Sequence, residues 1–124
     1  MIRSGDVVMI YTDYEPPQDD ESFPETVTLT RDAAEYLATI PVRAFATDAF
    51  SVENLQDQAQ LDSNDLTAQV VPIHHSFLSR GIPVYEQLFN VESLLDKEMM
   101  FFVGVPANIP DGDGMIVRPV VFVY

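Results

Sequence analysis

Two apolar runs separated by one short helix constrain this chain most. Val7 to Thr12 (VVMIYT) is apolar at nearly every position, and Val42 to Thr47 (VRAFAT) follows after about thirty residues. A strand that is apolar throughout belongs in the middle of a sheet, buried on both faces. Gly5-Asp6 supplies the turn before the first run. Between the two, Thr30 is a good helix N-cap and Asp32 favours the first turn. The helix runs to about Thr39, with Ala33, Ala34, Tyr36, Leu37 and Ile40 on its apolar side, and Pro41 stops it. Strand, helix, strand at this spacing implies parallel pairing through a right-handed crossover.

The second informative stretch is Val71 to Glu86, VPIHHSFLSRGIPVYE. Pro72 suits a first helical turn, where its missing N–H would be unpaired anyway. Gly81 suits the position after a helix end, where the backbone turns left-handed. Ile82 to Tyr85 then read as a short strand. From His74 to Gly81 the helix rises about 10 Å at 1.5 Å per residue. The return to Glu86 covers about 16 Å at 3.3 Å per residue. After the turn has used a residue or two, the His74 and Glu86 side chains end near one level, where an imidazole and a carboxylate could ligate a divalent metal. His74, Phe77, Leu78 and Gly81 share the apolar face, so a hydrogen-bonded core histidine is the competing reading. His75 shares its face with Ser79 and meets water.

The chain has 124 residues, which indicates one domain spanning 1–124 with a substantial core. Its net charge is −14, from 20 acidic and 6 basic residues. Such a field repels nucleic acid and anionic membrane surfaces alike. Cysteine is absent, which removes disulfides, thiolate ligands and a thiol nucleophile. No signal peptide and no apolar run near the length of a membrane helix is visible, so a cytoplasmic location is expected.

Residues 13–28 and 48–66 read as acidic surface loops. Asn90 caps a short helix over Val91 to Leu95. Met99 to Val105 is an apolar strand, Asn108 to Gly114 a hairpin turn, and Met115 to Tyr124 the closing strand, with Pro119 at an edge or bulge. Asp111-Gly-Asp-Gly114 lacks the later ligands of a calcium loop and is read as that turn. The run Asp19-Asp20-Glu21 is read as solvated charge. Ser51 and Ser76 lack a nucleophile-elbow context. Asp48, at a strand end where α/β sheets often place functional groups, is a pocket candidate or a loop cap. His75 and Tyr85 are the other pocket candidates.

The order of these pieces resembles the cyclase and kynurenine formamidase-like metal-dependent hydrolases. Gly5-Asp-Val-Val-Met-Ile-Tyr-Thr12 resembles the family's GD-V-L-I-R-T strand, and Thr30 to Ala38 its S-x-E-A-A-x-x-L helix. Thr47-Asp-Ala-Phe-Ser51 resembles its D-(T/A)-x-S segment. His74, Leu78, Gly81 and Glu86 follow at the family spacing, then Leu88 to Leu95. Phe102-Val-Gly-Val-Pro106, the Asp/Gly turn and Val117-Arg-Pro-Val-Val121 fit the ending. The resemblance covers the whole chain but only the C-terminal half of a family member.

It implies an α/β domain with a mixed sheet of about five strands and three flanking helices, like the C-terminal half of the cyclase-type β/β/α fold. It implies that His74 and Glu86 help hold a divalent metal such as zinc or manganese. The family's other ligands come from an H-x-G-T-H-x-D motif, and here the only histidines are His74 and His75. The chain is therefore expected to begin where the family's second half begins. A hydrolytic metal needs about three protein ligands and an open position for water. Two readings follow. One is a non-catalytic half-domain, with no catalytic residue of its own, that forms homo-oligomers, most simply a dimer, or binds a small molecule. The other is a hydrolase of N-formyl or cyclic amides whose site another subunit completes.

Overall fold

A computed structural model describes residues 1–16, 27–54 and 71–124. The acidic run Asp19-Asp20-Glu21 and most of the second acidic loop lie outside the described residues. The described residues gather into two compact units, Met1–Glu92 and Ser93–Tyr124.

The first unit is built on three parallel strands in the order β1-β2-β3: β1 (Val7–Ile10), β2 (Ala44–Thr47) and β3 (Val84–Tyr85). Val7 pairs with Ala44 and Ile10 with Thr47, while Phe45 pairs with Val84 and Ala46 with Tyr85. The parallel β1–β2 pairing expected from the sequence is present, but the central position belongs to the other strand. Every residue of β2 is buried, whereas β1 is half-buried along its length. Among the described residues β1 pairs on one side only.

Helix α1 (Arg31–Thr39) starts where the Thr30 hydroxyl accepts from the Ala33 N–H at 3.2 Å. It ends at Ile40, whose extended backbone (φ −83°, ψ 129°) is what a following proline demands. Ala34 and Ala38, four residues apart, face the core. Tyr36 was expected on that side but is 67% exposed. Two residues from Ala34 is about 200° around a helix, so a side chain there points away.

Helix α2 (Pro72–Leu78) carries proline in its first turn. Its buried residues are Ile73, Ser76 and Phe77. Leu78, expected on the apolar face with His74, is 51% exposed. The buried stripe starts one residue earlier than the sequence reading placed it, at Ile73, and i, i+3, i+4 from there gives Ser76 and Phe77. The helix closes with Ile82 N–H on the Phe77 carbonyl at 3.1 Å and Gly81 N–H on Leu78 at 3.0 Å, with Gly81 at φ +71°. That is the paired-bond, left-handed helix end expected of this glycine.

The core is Ala34, Ala38, Val42, Phe45, Val52, Ile73, Phe77 and Ile82. Phe45 and Phe77 stack with ring centroids 5.0 Å apart, joining the sheet to α2. A 3-10 turn, Val91–Leu94, stands where a short α-helix was expected after Asn90.

The second unit is an antiparallel pair, β4 (Met100–Val103) and β5 (Val120–Val123), with Met100 opposite Val123 and Val103 opposite Val120. The connecting turn holds Asp111 at φ +60°, a conformation aspartate tolerates. The α/β class is thus observed, with the five strands divided between two sheets. The all-parallel set is held by crossover connections, and the antiparallel pair is joined through residues 104–119.

Candidate functional site

Three segments meet around His74: the loop after β2, the first turn of α2 and the residue after β3. Val71 offers no side-chain cap to α2. The free N–H groups of that first turn are met from a distance instead. Oε1 of Glu53 accepts from Ile73 N–H at 2.7 Å and from His74 N–H at 2.8 Å. The same oxygen lies 3.3 Å from His74 Nδ1. Glu53 is only 3% exposed, so its charge is desolvated and needs such partners.

On the other side of the ring, His74 Nε2 is 3.2 Å from Glu86 Oε2. The second oxygen of Glu86 accepts from Val52 N–H at 2.6 Å. The imidazole is therefore bracketed by two carboxylates, each anchored to backbone. Hydrogen bonds from Glu53 and then Glu86, together with their negative charges, hold the imidazolium form against the opposing effect of burial and raise the His74 pKa to about 9. For Glu86, burial pushes the carboxyl up. The bonds from His74 and Val52, the His74 charge and the Ser51 hydroxyl outweigh it, and its pKa falls below the ordinary value.

The backbone beyond Glu86 is also held in place. Gln87 has φ +55°, an uncommon state for a side chain with a Cβ. Its N–H donates to Ala49 carbonyl at 3.0 Å, its side-chain amide donates to Phe50 carbonyl at 3.3 Å, and Leu88 N–H donates to Thr47 carbonyl at 3.1 Å. These bonds tie the exit of β3 to the loop after β2. They set the level at which Glu86 meets His74.

Asp48 lies apart from the histidine in its bonding. Its Oδ1 accepts from Thr12 N–H at 2.7 Å and Thr12 hydroxyl at 2.9 Å, and its Oδ2 from Tyr14 N–H at 3.1 Å. Burial alone would raise its pKa, but these donors more than compensate and hold it below the usual carboxylate value. Asp48 clamps the exit of β1 to the end of β2. His75 is exposed and lines a groove of about 600 Å³ between α1 and α2, with Arg31, Tyr36 and Arg80. Tyr85 is half-buried in β3, next to Glu86.

The structure thus brings His74 and Glu86 together and leaves Asp48 and His75 in other surroundings. The sequence reading missed Glu53. Its signal is indirect: a helix that opens with Val71-Pro72 has no cap of its own, so an acceptor must come from elsewhere. Among the described residues, no group of three or more His, Asp or Glu is arranged to hold a metal ion. No described helix is long and apolar enough to cross a membrane.

No curated protein matches the chain. A family model described as "Putative cyclase" matches residues 1–54, the stretch that contains β1, α1, β2, Asp48 and Glu53 and stops short of His74 and Glu86; this supports a relationship to the cyclase family.

Proposed function

We propose that this chain is a cyclase-type half-domain that presents His74 and Glu86 as two donors toward a divalent metal and does not complete a hydrolytic centre by itself. One observation carries the reading. His74 Nε2 and Glu86 Oε2 converge at 3.2 Å while the other ring nitrogen faces a buried carboxylate. Metal-bound histidines commonly donate their second N–H to a carboxylate in this way, so the donor set fits zinc or manganese. Bound there, the metal would lower the pKa of a water ligand. His74 would supply a neutral nitrogen and Glu86 an anionic oxygen, and Glu53 would hold the ring still. Two donors are fewer than the three a hydrolytic ion needs, which favours a binding or assembly role for the chain alone.

A second reading is a hydrolase of N-formyl or cyclic amides whose remaining ligands come from another subunit. The surface of the β4–β5 hairpin favours a partner. Phe101, Ile116 and Phe122 are 58%, 99% and 52% exposed. A two-stranded sheet is marginal on its own, and exposed apolar patches of this kind usually meet another surface. Arg118 is the one charged side chain between Met115 and Tyr124, so two copies of a strongly acidic chain meet there with little repulsion. A homodimer through this hairpin is the partner proposed.

Metal analysis of purified protein, with His74→Ala as control, tests the first reading. Stoichiometric zinc or manganese that disappears in the variant is expected, with no turnover of N-formyl amides. Metal retained by His74→Ala overturns it. Turnover that depends on protein concentration moves the assignment to the second reading. Light scattering at micromolar concentration tests the dimer, and a clean monomer counts against it.

A further inference from the structure

We infer that Glu53 is a positioning residue that keeps the ring proton of neutral His74 on Nδ1 and so turns the Nε2 lone pair toward Glu86. The inference rests on the metal-donor reading of the same site and names the group that orients it.

Either carboxylate could in principle hold that proton. Distance does not decide between them, because Nδ1 to Glu53 is 3.3 Å and Nε2 to Glu86 is 3.2 Å. Burial does. The Glu53 side chain is 4% exposed and that of Glu86 is 25% exposed. Water screens the attraction of an N–H to Glu86 and scarcely screens it to Glu53. Attachment points the same way. The oxygen of Glu53 that faces Nδ1 also binds the backbone N–H of His74 itself and of Ile73. Ring and acceptor are thereby fixed to one helical turn and cannot drift apart. Glu86 is fixed through its other oxygen, by Val52, and its Oε2 faces His74 Nε2.

This gives the loop after β2 a role in the site beyond covering the core. It delivers Val52 N–H to Glu86 and the Glu53 carboxylate to His74, so one short segment sets both groups. Glu53 also lies within residues 1–54, the stretch that resembles the cyclase family by its own match, and it acts on a histidine outside that stretch.

The test is the ring tautomer, read by long-range proton–nitrogen correlation on protein with labelled histidine, in alkaline buffer where the ring is neutral. The two histidines are told apart with His75→Ala. The expected spectrum of the unmodified chain is the Nδ1–H form for His74. An Nε2–H form overturns the proposal without any need for a variant. In Glu53→Gln the amide oxygen can still accept from Ile73 and His74 N–H, so the cap persists while the charge is gone. The expected result is a shift of His74 toward the Nε2–H form at unchanged far-ultraviolet dichroism. A folded Glu53→Gln with the tautomer unmoved means that Glu53 is only a cap, and overturns the positioning role. Zinc titration of the same samples separates this from the metal reading. A loss of affinity of about 10- to 100-fold in Glu53→Gln is expected. An Nδ1–H ring that binds no zinc keeps the positioning role and removes the metal.

Discussion

Asp48 reaches back across the sheet to Thr12, taking both its backbone N–H and its hydroxyl on one oxygen at 2.7 and 2.9 Å. The residue caps the carboxyl ends of β1 and β2 together, and it is 7% exposed. Its folded pKa is depressed below the ordinary 3.8. A depressed carboxyl stabilises the fold above its unfolded pKa and loses that contribution as pH falls through the folded one. Asp48→Asn should therefore cost about 1.5–3 kcal/mol at pH 7, the range for hydrogen bonds to a charged group. At a strongly acid pH, below that depressed folded value, the difference should shrink, because the native residue is then also neutral. Urea titrations at both pH values check this; an equal gap at both would remove the charge from the explanation.

Gly81 is the second test of a specific backbone state. Its φ is +71°, and a Cβ built there meets nothing within 4 Å. The cost of a side chain is then backbone strain alone. Gly81→Val should destabilise by about 1–2 kcal/mol and Gly81→Asn by clearly less, since asparagine visits the left-handed region more readily. Equal losses for the two would point to a cause other than φ.

Much of this architecture was legible because local chemistry decides it. Thr30, Pro41, Pro72 and Gly81 mark ends of α1 and α2, Thr30 through its own hydroxyl and the others through their own backbone. The His74–Glu86 meeting followed from rise per residue and the turn between them. What was not legible depends on neighbours. Nothing in VVMIYT says that β2, not β1, takes the centre, since that follows from which strand finds two partners. Tyr36 and Leu78 look apolar in sequence, but which third of a short helix faces the core is set by contacts made elsewhere. Glu53 was hidden for the same reason. Its partners Ile73 and His74 lie 20 and 21 residues along the chain, and only the closed fold shows them.

The stacked pair at the core's centre gives a larger effect. Phe77 is 0% exposed and lies on Phe45, itself 1% exposed. Phe77→Ala removes the ring that joins α2 to the sheet and leaves a cavity walled by Phe45. A loss of about 3–5 kcal/mol is expected, and Phe77→Leu should recover more than half of it. Thermal and urea unfolding check both; a loss below about 1 kcal/mol for the alanine variant would mean that α2 is not anchored through this ring.

The adjacent histidines make the sharpest contrast, because they differ by one position and share one helix. Removing His75 takes away an exposed side chain, and His75→Ala should stay within about 0.5 kcal/mol of the parent. Removing His74 leaves Glu53 and Glu86 facing one gap with no cation between them. Both carboxylates keep their backbone donors, so the helix cap survives, but the attraction that offset their burial is gone. The ring is 24% exposed, which lets water and salt soften the repulsion. A loss of about 1–3 kcal/mol is expected for His74→Ala in metal-free protein at pH 7. Raising the pH through about 9 should narrow it, because the native ring then gives up the proton that its two carboxylates stabilise. Chemical denaturation of the two variants side by side, at neutral pH and near pH 10, reads both effects. A silent His74→Ala beside a damaging His75→Ala would reverse the assignment of the inward imidazole.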